Sequence, residues 1–214
     1  VSPRIPLALA AALLALTACE PVSVPPSSPG TPTSKPGSGS AKDASAQLGK
    51  LTVAKAGSMA GYKREQFPHW RDTGSNCDVR DSVLKRDGKN VKFSGCNVVA
   101  GTWISFYDGQ VLNSPTKVDI DHMVPLANAW RSGASKWTTA KRGDFANDLD
   151  DPQLIAVSAS SNRSKGDQDP STWKPSETSS WCEYAKDWIA VKSKWKLTVT
   201  EKEKSALDDM LRKC

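Results

Sequence analysis

The chain has 214 residues with 29 basic and 23 acidic side chains and a formal net charge of +6, which permits one domain with a tail. The positive balance is mild and mixed with acids, so a solvated surface explains it as well as a polyanionic partner does. Eight tryptophans allow a substantial core, and the N-terminal apolar run falls short of the ~20 residues of a membrane-spanning helix.

That run, Ile5 to Ala18, follows one positive charge, Arg4, and is broken early by Pro6. The pattern predicts a signal peptide over residues 1–18. Its end, Leu16-Thr17-Ala18-Cys19, resembles the lipobox of bacterial lipoproteins, which would make Cys19 a lipidated membrane anchor. Ordinary cleavage after the small residues is the alternative. Five cysteines in an exported chain leave one unpaired, and lipidation of Cys19 removes the odd one. Cys77, Cys96, Cys182 and Cys214 then read as disulfide partners. None of them forms a Cys-x-x-Cys pair, which argues against a zinc ribbon.

From Glu20 to about Lys50 the chain is rich in Pro, Ser, Gly and Thr, a composition that buries too little to offset its ordering entropy. It reads as a disordered tether, with the folded domain at 51–214. Residues 51–76 are irregular, interrupted by Gly57, Gly61, Pro68 and Gly74. His69 lies here beside Trp70, where a structural role is the simpler reading and a place in an active site the other.

Asp78 is the expected N-cap of a helix to about Arg86, ended by Asp87-Gly88-Lys89-Asn90. Strands follow over 91–93, 97–100 and 103–106, with a turn over 107–110. A helix and a reversal bring Cys77 towards Cys96, which predicts that bridge. Val118 to His122 reads as a strand with a carboxylate and an imidazole at its end, and Pro125 forces the chain out of it. A helical stretch runs from Leu126 to about Phe145 with a break at Gly133. The turn-rich run from Asn147 feeds a strand at Leu154-Ile155-Ala156-Val157, and the polar segment Ser161 to Gly166 follows.

Near the C-terminus, Trp181, Tyr184, Trp188, Val191 and Trp195 recur at helical spacing, which favours core packing over base stacking. Thr200 and Glu203 form a capping-box signature for a last helix carrying Leu207, Met210, Leu211 and Cys214. Antiparallel packing of the two helices predicts a Cys182–Cys214 bridge.

Asp121, His122 and Asn162 suggest chemistry. Phosphodiester hydrolysis needs an activated water and stabilisation of the charge that develops on phosphate, which one divalent cation and one histidine can supply. Asp121 and Asn162 offer hard oxygen ligands. His122, on the other side of the strand, suits a general base, with activity rising as it deprotonates near pH ~6.5. In the plainer reading Asp121 accepts backbone hydrogen bonds in a turn and Asn162 caps a helix. Asp119 reads as a spacer.

Three blocks, Asp121-His122-Met123-Val124-Pro125-Leu126, Asn147 to Leu154, and Asn162-Arg163-Ser164-Lys165-Gly166, together resemble the motif of HNH endonucleases. The wider pattern resembles the branch called the DUF1524 or GmrSD C-terminal type, found in exported actinobacterial proteins. The similarity runs from about Tyr62 to Cys214 and includes Arg64-Glu65-Gln66-Phe67, Cys77-Asp78-Val79-Arg80, Asn128-Ala129-Trp130 and Trp181-Cys182. It implies an α+β fold with a ββα-metal (His-Me finger) core, added helices, a small sheet and two disulfides. It also implies Asp121 and Asn162 as metal ligands, His122 as base, and magnesium as the cation, with manganese or zinc as alternatives. The family's middle asparagine, which braces the loop around the base, falls at Asp151, and Asn147 is a candidate to assist. Arg163, Lys165 and Arg80 are candidates to neutralise substrate phosphates, with surface charge or ion pairing as the alternative.

The expectation is a metal-dependent endonuclease cutting DNA, with RNA as an alternative substrate. It would be exported, monomeric and tethered by lipid to the outer face of the membrane. No separate DNA-reading module is visible in the sequence. The competing expectation is a noncatalytic envelope lipoprotein that binds nucleic acid or wall polymer.

Overall fold

The computed structural model describes Val1 and residues 39–214. The expected signal peptide, Cys19 and most of the expected tether lie outside the described residues. The elements follow the chain as helix α1 (Ala41–Lys50), strands β1 (Asp72–Gly74) and β2 (Cys77–Asp78), helix α2 (Val79–Asp87), strands β3 (Lys89–Ser94), β4 (Asn97–Ile104), β5 (Val111–Leu112) and β6 (Val118–His122), helices α3 (Leu126–Arg131) and α4 (Thr139–Ala146), strand β7 (Leu154–Ser158), and helices α5 (Ala159–Lys165), α6 (Trp181–Lys194) and α7 (Glu201–Leu211). The fold is mixed α+β, with small sheets ordered β1-β2, β3-β4-β5 and β6-β7.

The antiparallel pair β6–β7 holds the centre, with Ile120 opposite Ala156 and His122 opposite Leu154. Side chains alternate across a strand, so Val118, Ile120, Leu154 and Ala156 face a core shared with Val79, Val83, Leu84 and Trp103. Ile155 and Val157 face the other way, into a core with Tyr107, Tyr184, Trp188 and Ile189. Every residue of β7 is buried, which explains why its sequence is an unbroken apolar run rather than an alternating one. Gln153 secures the end of the pair. Its backbone oxygen accepts from Met123 N at 2.7 Å, and its side chain bonds the Val124 backbone both ways, at 3.1 and 3.0 Å.

Local signals account for most boundaries. Asp78 caps α2 in a capping box with Asp81, and Ser105 accepts from Gly109 at the expected turn. Gly133, with φ of 126°, separates α3 from the segment leading to α4, a conformation that favours glycine. Two expectations change. The strands expected at 97–100 and 103–106 form the single strand β4, which ends at Ile104. Residues 41–50, expected as part of the tether, form the helix α1, with Ser40 and Asp43 in a capping box. Ala44 and Leu48 are buried in the main core, where α1 packs on α6 and α7.

The aromatic stripe packs inward. Tyr184, Trp188 and Val191 are buried, and Trp181 and Trp195 pack partly buried against the same core. The capping box at Thr200 and Glu203 opens α7. Buried Glu203 also accepts from Trp188 Nε1 at 2.6 Å and lies 2.9 Å from Lys192 Nζ, tying α7 to α6. Disulfides join Cys77 to Cys96 and Cys182 to Cys214. Among the described residues no helix is long and apolar enough to cross a membrane.

The Cys182–Cys214 bridge ties the start of α6 to the residues just after α7, and such a link acts mainly by limiting the unfolded chain. Replacing both cysteines with serine should lower the unfolding free energy by ~2–4 kcal/mol, measured by urea denaturation. An unchanged midpoint would show that the helix pair holds without the staple.

Candidate active site

A cleft of about 520 Å³ opens beside the end of β6. Asp121 and His122 from β6, Asn162 and Arg163 from α5, and Arg64 from a preceding turn all line it. The turn from β7 into α5 is what brings Asn162 back to β6. Ser158 caps α5 by accepting from Ser161 N. Asp108 accepts from the hydroxyls of Ser158 and Ser161 at 2.5 and 2.6 Å, fixing the start of that helix. Burial raises the pKa of the Asp108 carboxyl, but hydrogen bonding to Ser105, Ser158 and Ser161 outweighs it and lowers the pKa overall.

Asp121 and His122 point to opposite sides of the strand, as alternation requires. Asp121 Oδ2 accepts from Lys165 Nζ at 2.6 Å and from the Tyr107 hydroxyl at 2.7 Å. Lys165 also donates to the His122 carbonyl at 3.0 Å. Its side chain is fully buried. Burial lowers the ammonium's pKa and Asp121 opposes that effect. Burial and the neighbouring Asp121 carboxylate push the Tyr107 hydroxyl well above its ordinary range, so it remains a proton donor.

His122 is buried with its Nε2 3.0 Å from the Ala146 carbonyl oxygen. A carbonyl can only accept, so Nε2 carries the proton and Nδ1 keeps the lone pair. The ring's pKa is pushed down to about 3, first by burial, against the Ala146 bond, and further by the charges of Arg64, His69 and Lys165. An imidazole deprotonating near pH ~6.5, as expected from its free value, is therefore corrected. Burial thus favours the neutral His122 ring across the physiological range.

The chain's two histidines meet here. The His69 and His122 rings stand edge to face with centroids 6.3 Å apart, and Trp70 lies 6.0 Å from His122. Trp70 has a φ of 59°, a left-handed conformation that is strained for a bulky side chain. Asn147 holds that backbone. Its Nδ2 donates to the carbonyls of Pro68 and Gly143, both at 2.7 Å, and its Oδ1 accepts from Arg71 N at 2.9 Å. Asn147 thus clamps the segment that lays His69 and Trp70 against His122. Residue-by-residue reading could not see this, because the partners are distant in sequence.

Other expected site residues lie elsewhere. Asp151 pairs with Lys194 and does not line the cleft. Arg80 donates to the Pro115 and Val118 carbonyls at 3.0 and 2.9 Å, a structural use that leaves it poorly placed for phosphate. Lys165, expected at a substrate phosphate, is an internal counterion instead. Asp119 is more than a spacer, since Asn162 Nδ2 donates to its Oδ2 at 3.0 Å. Arg163 is exposed on the cleft. Among the described residues no three His, Cys, Asp or Glu side chains converge as a metal cage. The oxygens that remain for a hard cation are Oδ1 of Asp121 and Oδ1 of Asn162, since Asp121 Oδ2 and Asn162 Nδ2 are engaged.

A family model for the C-terminal domain of GmrSD restriction endonucleases matches residues 78–210. An uncharacterized secreted protein of Arthroderma benhamiae is 47% identical over 209 residues, covering 97% of this chain and 98% of its own length. No solved structure matches.

Removing one partner of a buried ion pair strands the other in low dielectric, at a cost of ~3–5 kcal/mol. Lys165→Met should therefore lower stability by about that amount by chemical denaturation. A loss under ~1 kcal/mol would mean that Asp121 is solvated when unpaired.

Proposed function

The chain belongs to the GmrSD restriction endonuclease C-terminal domain family, and from that premise we propose that it is an exported, metal-dependent endonuclease of HNH type. The observation that carries the reading is the single cleft holding Asp121, His122, Asn162 and Arg163. The order of β6, β7 and α5, two antiparallel strands followed by a helix, suits a ββα-metal core. Export rests on the two disulfides, which persist in oxidising compartments, and on the secreted relative.

In this mechanism His122 Nδ1 accepts a proton from water while Nε2–H keeps its bond to Ala146 O. The resulting hydroxide attacks phosphorus as the in-line P–O bond breaks, and the leaving oxygen takes a proton from solvent water. A neutral ring is ready for this without first losing a proton. Its depressed basicity is offset when an anionic phosphodiester enters beside it, because a nearby negative charge favours the imidazolium. Asn147, through the 68–71 segment, orients the aromatic packing of His122. Lys165 pairs with Asp121 and pins the His122 backbone. Arg163 suits contact with non-bridging phosphate oxygens.

Asp121 Oδ1 and Asn162 Oδ1 fit a hard divalent cation that retains several waters, as magnesium does. Bound there, such a cation would supply Lewis-acid stabilisation of the phosphate. DNA is the expected substrate, with RNA as the alternative.

Full chain recovered from culture medium should convert supercoiled plasmid to nicked and linear forms, and EDTA should abolish this. His122→Ala should lower the rate by ~10²–10⁴-fold. Because the His122 pKa lies near 3, the rate should show no ionisation step from this ring near pH ~6.5. Binding of DNA without cleavage by wild-type protein would favour a noncatalytic module, and equal rates for wild type and His122→Ala would exclude the assigned base.

A further inference from the structure

Two cationic residues, Arg64 and Arg163, line the cleft, and two more pair with acids that line it. Lys165 is paired with Asp121, and Arg131 with Asp167 at 2.6 Å. Arg64 and Arg163 are exposed and make no ion pair or side-chain hydrogen bond among the described residues. They come from separate parts of the chain, the turn Arg64–Gln66 and the helix α5.

The turn under Arg64 is firmly held. Phe67 N donates to the Arg64 carbonyl at 3.0 Å, and the Phe67 side chain is fully buried. Its ring packs 6.4 Å from Trp130 and 6.2 Å from Phe145. Arg142, itself buried, donates from Nε to the Gln66 carbonyl at 2.9 Å. Tyr62, just before the turn, packs on Trp130 at 5.8 Å. A charged side chain on an anchored backbone, facing a cleft and lacking a partner, keeps its guanidinium for something outside the protein. Its field reaches the cleft floor, since the Arg64 charge is among those opposing protonation of His122.

We infer that Arg64 is a second phosphate-binding residue of this cleft, acting with Arg163 on the phosphodiester backbone of a nucleic-acid strand. The inference rests on the nuclease reading for its substrate class. Two guanidiniums from separate elements suit two non-bridging oxygens, or adjacent phosphates of one strand, because each planar fork offers paired donors. Arg64 thereby replaces Lys165 and Arg80 as the partner of Arg163. The assignment also gives a reason for leaving a positive charge beside a buried imidazole, where substrate binding would neutralise it.

The test is binding of a fluorescein-labelled single-stranded oligonucleotide to the full chain in EDTA, by anisotropy across a salt series, with kcat/KM measured separately in magnesium. Each phosphate contact contributes ~0.7 to the salt slope for single strands. Arg64→Gln should reduce that slope by about this amount, weaken binding ~10-fold or more and lower kcat/KM at least as much. Arg64→Lys should restore the slope, and Lys202→Ala, on α7 outside the cleft, should match wild type. Wild-type slope and kcat/KM in Arg64→Gln would overturn the inference and leave the nuclease reading intact. A reduced slope in a protein that never cleaves would support Arg64 and overturn the nuclease reading. A wild type that does not bind the oligonucleotide would overturn both.

Discussion

The buried pair of Lys165 and Asp121 is the constraint on which the cleft depends. A carboxylate inside a protein is unfavourable unless a cation and hydrogen bonds replace its water. Lys165 and the Tyr107 hydroxyl supply that replacement from α5 and from the turn after β4. Lys165 also holds the His122 carbonyl, so one ammonium fixes the strand end that carries both Asp121 and His122. The alternation of β6 then sends the imidazole to the other side, away from its neighbour's charge.

That other side has its own support. Ala146 determines which nitrogen of His122 is protonated. Asn147, the next residue, secures the Pro68–Arg71 backbone whose rings pack on the imidazole. The end of α4 therefore governs both the tautomer and the surroundings of His122. The left-handed backbone of Trp70 lies in this segment, where a side-chain amide with three hydrogen bonds can sustain it.

Much of the scaffold was legible because its signals are local or periodic. The apolar run at 154–157, the caps at Asp78 and Thr200, and the Trp181–Trp195 stripe each fix an element within a few residues. The cysteine pairings followed from how those elements must return. Helix α1 was hidden because its Ala, Gly, Lys and Ser resemble the composition of the residues before it, and only Ser40 and Asp43 mark its start. The candidate site was legible in membership more than in contacts. Asp121, His122 and Asn162 do share a cleft, but Lys165 and Arg80 read as surface cations, and only tertiary packing reveals the carboxylate and carbonyls that engage them. The placement of His69 and the exposure of Arg64 depend on Asn147 and Phe67, whose partners lie far away in sequence.

The assigned mechanism requires His122 to be neutral and protonated on Nε2, the tautomer set by its bond to the Ala146 carbonyl. Because the chain contains only two histidines, long-range ¹⁵N–¹H correlation NMR on histidine-labelled protein can follow each ring, with His69→Gln assigning the signals. The His122 ring should stay neutral and Nε2-protonated from pH ~5 to ~8. A His122 ring that titrates near pH ~6.5, or that carries its proton on Nδ1, would contradict it.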